Sequence, residues 1–133
     1  MIDIDAHRLH RIRPDECSEA TAQTPGMRRV AAVTGAAVGA RRIWMGRTQV
    51  APGASSGPHH HGESETAIHV LAGNPVFVYR DGAAEVRLET EPGDYVYVPP
   101  HVPHIEENPG EIEALIVLAR TTQEAIVVNL DSL

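Results

Sequence analysis

From residue 41 onward the chain is a series of short runs in which apolar side chains alternate with polar ones or fill the run, each bounded by turn residues. Residues 43–50 form the first and end at Pro52 and Gly53. Residues 66–71 stop at Ala72-Gly73-Asn74-Pro75, and 76–80 and 83–88 flank Asp81-Gly82, a hairpin signal because Gly accepts positive φ. Residues 95–98, 102–107, 112–119 and 124–130 complete the set. Turn signals recur about every ten residues and no amphipathic helix is legible after residue 40, which predicts an all-β sandwich or barrel. The architecture that fits is a double-sheet jelly roll, a small barrel with a mouth.

Residues 1–40 carry the weakest pattern and are read as an irregular N-terminal extension, with the barrel domain at 41–133. Arg13-Pro14-Asp15-Glu16 is suited to open a helical turn, and Thr24-Pro25-Gly26 to form a tight one. The glycine-rich run 30–41 imitates the start of a dinucleotide-binding unit. The third glycine would fall at Arg41 and no βαβ pattern follows, so a small-residue strand and loop is the better reading.

The chemistry concentrates in two blocks between Gly53 and Asn108. In an extended segment alternate side chains share a face, so His59 and His61 point together while His60 points away. Two imidazoles do not fill a metal's coordination sphere, and His104, more than forty positions on, is the natural residue to join them. Neutral imidazole is a borderline ligand suited to Fe, Mn, Zn, Ni or Cu, and three of them leave positions open to water, oxygen or a chelating substrate.

These blocks resemble the paired signature of the cupin superfamily. Its first motif is Gly, five residues, His-x-His, three or four residues, Glu, six residues, Gly; its second is Gly, five residues, Pro-x-Gly, two residues, His, three residues, Asn. Gly53, His59 and His61 match the first, and Gly93, Pro99, His104 and Asn108 match the second at full spacing. The resemblance covers roughly residues 41–120 and implies a double-stranded β-helix (jelly-roll) barrel holding one divalent transition metal by His59, His61, a carboxylate and His104. It also implies a homodimer, with part of residues 1–40 packing on the barrel or on the partner subunit. The first block is similar to that of small single-domain bacterial cupins.

Two departures bear on the site. Glu65 is the expected carboxylate ligand, yet seven residues rather than six separate it from Gly73, and counting back from Gly73 puts Thr66 in register. A one-residue shift turns a strand side chain to the other face, so either a bulge brings Glu65 inward or Thr66 takes its place; Glu63 is a poorer third choice. The second departure is His101 where the family has Gly, a position whose backbone a bulkier residue enters at a cost. His101 is read as a surface loop histidine, His69 as a barrel-wall or interface residue, and His7 and His10 as carrying no site signal.

Strand alternation beyond His104 sends Glu106 and Asn108 along the same face, making Glu106 the candidate cavity-facing general acid or base. Tyr95 and Tyr97 share a face and are read mainly as packing; Trp44, Arg47 and Gln49 are weaker candidates still.

Composition narrows the class. The 133 residues make one domain, with 18 acids against 11 basic residues, all of them Arg, and a net charge of -7. No local window supplies a basic footprint, which argues against nucleic acid. The single cysteine, Cys17, permits no intrachain disulfide, and the N-terminus lacks a signal-peptide pattern, so a cytoplasmic location is expected. The run 30–40 is about half the length needed to span a bilayer. Three readings of function follow: a metal-dependent enzyme of dioxygenase, isomerase or lyase type acting on a small oxygen-rich substrate in the barrel mouth; a non-catalytic small-ligand-binding or sensing module; and a structural barrel with a vestigial site.

Overall fold

The computed structural model describes residues 7–133. A 3-10 turn at Pro14–Glu16 follows Arg13, whose N–H donates to the Glu16 carboxylate at 3.1 Å. The described residues beyond it form ten strands and one short α-helix: β1 Met27–Val33, α1 Gly35–Val38, β2 Trp44–Val50, β3 His59–His60, β4 Thr66–Ala72, β5 Val76–Asp81, β6 Ala84–Glu89, β7 Tyr95–Val98, β8 Ile105–Glu107, β9 Ala114–Arg120 and β10 Val128–Asn129. All pairings are antiparallel and form sheets of order β1-β2-β9-β4-β7, β6-β5-β8 and β10-β3. The all-β architecture expected from the turn spacing is the one observed.

The alternation read from the sequence becomes a two-faced sheet. On β2, Trp44, Gly46, Thr48 and Val50 are buried, and on β4, Thr66, Ile68 and Val70. Ile68, Val70, Val98 and Ile116 from the five-stranded sheet meet Phe77 of the three-stranded sheet in one apolar cluster, which joins the two layers. Met27, Val50 and Ala114 form a second cluster at the β1 side. Gly46 has a packing reason: a Cβ there would lie 2.7 Å from the Trp44 ring and collide with the Val30 carbonyl, so the indole covers the backbone only where no side chain intervenes.

Three local outcomes differ from the sequence pattern. Residues 27–33, assigned to the irregular extension, are the edge strand β1, in register with β2 from Met27↔Val50 to Ala31↔Gly46. The connection from β1 to β2 is antiparallel, with the four-residue α1 capped by Thr34 Oγ1 on the Ala37 N–H, so no parallel βαβ unit exists there. The β5–β6 hairpin turns at Gly82-Ala83, not Asp81-Gly82, because Asp81 pairs with Ala84; Gly82, at φ 62, takes the first loop position as a II′-type turn requires. Of the run 124–130 only Val128–Asn129 is strand, paired with His59–His60.

Among the described residues no helix is long and apolar enough to cross a membrane.

Candidate metal centre

His59 opens β3 and His104 lies directly opposite it: the two residues exchange both backbone hydrogen bonds, at 3.1 and 2.9 Å. His61 follows one residue after β3 and returns to the same face as His59, as period-two geometry requires. The three rings gather with centroids 4.5 Å (His59–His104), 4.8 Å (His59–His61) and 5.1 Å (His61–His104) apart. One ring nitrogen from each lies within 4.8 Å of the others, close enough for the three to hold one metal ion.

The other ring nitrogen of each is already engaged. Nδ1 of His59 faces the Gly57 carbonyl at 2.8 Å, that of His61 the Ile126 carbonyl at 2.8 Å, and that of His104 the Val102 carbonyl at 2.9 Å. A carbonyl only accepts, so each Nδ1 carries the proton and each Nε2 keeps its lone pair. Such partners fix tautomer and ring orientation before any ion arrives. Burial lowers the pKa of all three, that of His104 to about 4, so the rings are neutral and able to ligate near neutral pH. The donor set therefore fits a divalent transition metal.

Glu65 does not join them, which corrects the expected ligand set. Its side chain is exposed and accepts a hydrogen bond from the Tyr97 hydroxyl at 2.5 Å on the outer face of the sheet, while Thr66 is buried and lines the cavity. The pairing of β4 with β7 and β9 is regular from Thr66, and the one bulge on β4 falls at Leu71, between Val70↔Ile116 and Ala72↔Leu115. No bulge before the strand turns Glu65 inward, so alternation leaves it outside. Glu63 is exposed.

The imidazoles stand in a cavity of about 430 Å³ that Glu106 also lines. Glu106 follows His104 by two residues on β8, and its Oε1 is buried with no hydrogen-bond partner. Burial pushes its carboxyl up to about 7, while the positive charge of Arg29 pulls the other way. Asn108, further along the same face, braces the surrounding backbone. It is 1 % exposed and its amide donates to the carbonyls of Val50 and Ile112 at 3.0 and 2.8 Å.

Two charged cavity residues escaped the sequence reading, Arg29 of β1 and Arg120 at the end of β9. Arg120 stacks over Trp44 at 4.0 Å and donates to the carbonyls of Thr122 and Gln123, both at 3.0 Å. Alternation with Met27 and Ala31 in one strand, and with Ile116 and Leu118 in the other, was the signal that places both inward.

The remaining candidates lie elsewhere. His101 has φ 61, the left-handed conformation expected of the residue that replaces Gly, and is exposed beside His60 with ring centroids 5.8 Å apart. His69 stacks on Tyr95 at 4.2 Å, and Tyr95 and Tyr97 are exposed on the sheet's outer face. Trp44 is core, Arg47 is exposed, and Gln49 bonds Glu113.

Fold and site together define a jelly-roll protein with a histidine cluster in its barrel. A family model, the cupin domain, matches residues 46–119, and the chain belongs to the cupin family. Among solved structures, oxalate oxidase in complex with the substrate analogue glycolate superposes with a TM-score of 0.69 at 21% identity, over 85% of this chain and 62% of that one. The S161A mutant of Bacillus subtilis oxalate decarboxylase gives 0.70 at 19% identity, over 83% of this chain and 29% of that one. The formate complex of Lactobacillus farciminis oxalate decarboxylase gives 0.69 at 16%, over 82% and 32%. At these identities the likeness is one of fold, and the chain spans less than two thirds of the length of each of these proteins. No curated protein matches the sequence.

Proposed function

We propose that this protein is a metal-dependent enzyme in which His59, His61 and His104 hold one divalent transition metal, Fe, Mn, Zn, Ni or Cu, and a small oxygen-rich substrate enters the barrel mouth for dioxygenase, isomerase or lyase chemistry. The observation that carries it is the locked tautomer of all three rings: each Nδ1–H is held by a backbone carbonyl, leaving three lone pairs in one cavity. An ion held there would supply Lewis-acid or redox activation of the substrate. Glu106, with its unpartnered buried Oε1, is the group that holds or moves a proton beside it. The Mn(II) centres named for Bacillus subtilis oxalate decarboxylase lend support to the metal reading from a protein of the same fold.

Elemental analysis of protein prepared without an affinity tag tests it. Close to one transition-metal ion per chain is expected, falling below a tenth in His104→Ala, together with metal-dependent turnover in a library of small acids and diketones. Wild-type protein that holds under a tenth of an equivalent and gains none on addition sinks the reading. The enclosed cavity also suits a second reading, a small-ligand-binding module without turnover, which binding that is indifferent to metal would favour.

We further read the protein as a cytoplasmic homodimer. The row Met45, Ala119, Ala67 and Tyr97 runs across the outer face of the five-stranded sheet, and Tyr95 and Tyr97 are 79% and 58% exposed on it. Sedimentation at micromolar concentration giving a monomer counts against the dimer.

A further inference from the structure

The end of the cavity that β1 and β2 build is not explained by metal binding. Arg29 and Thr48 are directly paired across these strands and therefore share a face, and both line the cavity. Thr48 is 1 % exposed, yet its Oγ1 has no hydrogen-bond partner. Glu106 Oε1 is the other buried polar atom in this condition among the described residues. Arg29 is half-buried and uses only Nη1, on Thr24 Oγ1 at 2.9 Å and the Ala22 carbonyl at 3.4 Å, which leaves Nε and Nη2 without a protein acceptor among the described residues. Arg29 and Glu106 feel each other's charge but form no ion pair within 4.0 Å, so the guanidinium and the carboxyl face one cavity without touching.

Buried polar atoms left unpaired are costly, and two of them beside an underused guanidinium mark a place shaped for a polar ligand. The sign of that ligand follows from charge. Among the described residues lining the cavity, Arg29 and Arg120 are the basic side chains and Glu106 is the one acid. The guanidinium fork matches a carboxylate in two parallel hydrogen bonds, and a hydroxyl such as that of Thr48 supplies a third donor.

We propose that the cavity takes a small carboxylic acid whose carboxylate is held by Arg29 and Thr48. This deepens the metal-enzyme reading by naming the substrate class, and rests on it only for what happens at the histidine end. Arg29 lies ahead of the family-matched residues 46–119 and Thr48 within them, so the charged half of the recognition comes from a strand outside the segment that the family model describes.

Calorimetric titration of metal-free and metal-loaded protein tests this with lactate and malonate as probes and lactamide and malonamide as their uncharged counterparts. The acids are expected to bind at least tenfold more tightly than the amides. Arg29→Gln is expected to lower acid affinity at least tenfold while metal content stays at the wild-type value, with Arg29→Lys, which keeps charge but loses the fork, falling between. Thr48→Val, which leaves the Arg29 loop contacts intact, is expected to weaken the acids severalfold and provides the test if Arg29→Gln does not fold. Amides binding as well as acids, no acid binding at all, or acid affinity unmoved in Arg29→Gln or Thr48→Val overturns the proposal. Acid binding that depends on Arg29 in a protein that takes up no metal keeps this inference and removes the metal reading.

Discussion

The imidazole of His61 is held by the carbonyl of Ile126, 2.8 Å from its Nδ1 and sixty-five residues away in sequence. The segment carrying Ile126 is anchored in turn by β10, which pairs with β3, and by the Leu130 N–H on the Pro58 carbonyl at 2.9 Å. The chain's last residues therefore orient one member of the histidine cluster from behind.

Deleting residues 125–133 should consequently weaken metal binding by about 10–100-fold, the usual cost of losing an outer partner of a ligating histidine. A competition titration against a coloured chelator reads the affinity, with circular dichroism as the check on fold. Gly62→Ala approaches the same contact from the other side, because a Cβ at Gly62 (φ 57) would sit 3.0 Å from Ile126 Cγ2. Wild-type affinity in both variants would show that the Ile126 carbonyl does not orient His61.

Glu65→Ala should keep the full metal content. Its carboxylate bonds the Tyr97 hydroxyl on the outer face, so its removal is a surface change, expected to move stability by no more than about 0.5 kcal/mol. Loss of half the metal or more in the purified variant would restore Glu65 to the ligand set.

The metal-free protein should respond to pH in two opposed ways. Burial holds His104 down to about 4 and lowers His59 and His61, so below about pH 6.5 the unfolded chain takes up protons first. Acidification from there towards pH 4 destabilises the fold. Glu106 works the other way: raised from 4.5 to about 7, it contributes stability that is fully present below pH 4.5 and lost as pH rises through 7. That loss is on the order of 3 kcal/mol. In urea melts of chelator-treated protein, Glu106→Gln should gain on wild type between pH 5 and pH 8; parallel curves would contradict a buried, protonated Glu106.

His101→Gly should stabilise the protein by up to about 1 kcal/mol, since a left-handed residue with a Cβ costs about 1–2 kcal/mol that glycine avoids, partly offset by the freedom glycine adds to the unfolded chain. The hydrogen bond from the His101 N–H to the Gly62 carbonyl, 2.7 Å, survives the change. A lowered melting temperature would mean that the contact with His60 outweighs the backbone strain.

Most strand positions between residues 41 and 120 and the shared face of His59 and His61 were legible because they depend on a local property, the two-residue period of an extended chain. The period also placed Glu106 on the His104 face, and the recurrent turns marked the all-β class. Motif spacing tied His104 to the early pair before any contact was visible. Other outcomes turned on pairing between distant segments. Whether Glu65 or Thr66 faced inward rested on where β4 places its extra residue, and only the pairing with β9 puts that bulge at Leu71. Residues 27–33 became a strand because the β2 edge was there to receive them, which brought Arg29 into the cavity. The tautomers of the three histidines were set by carbonyls at Gly57, Val102 and Ile126; the last of these is reached only when the chain's end folds back on its middle, a closeness that no local pattern encodes.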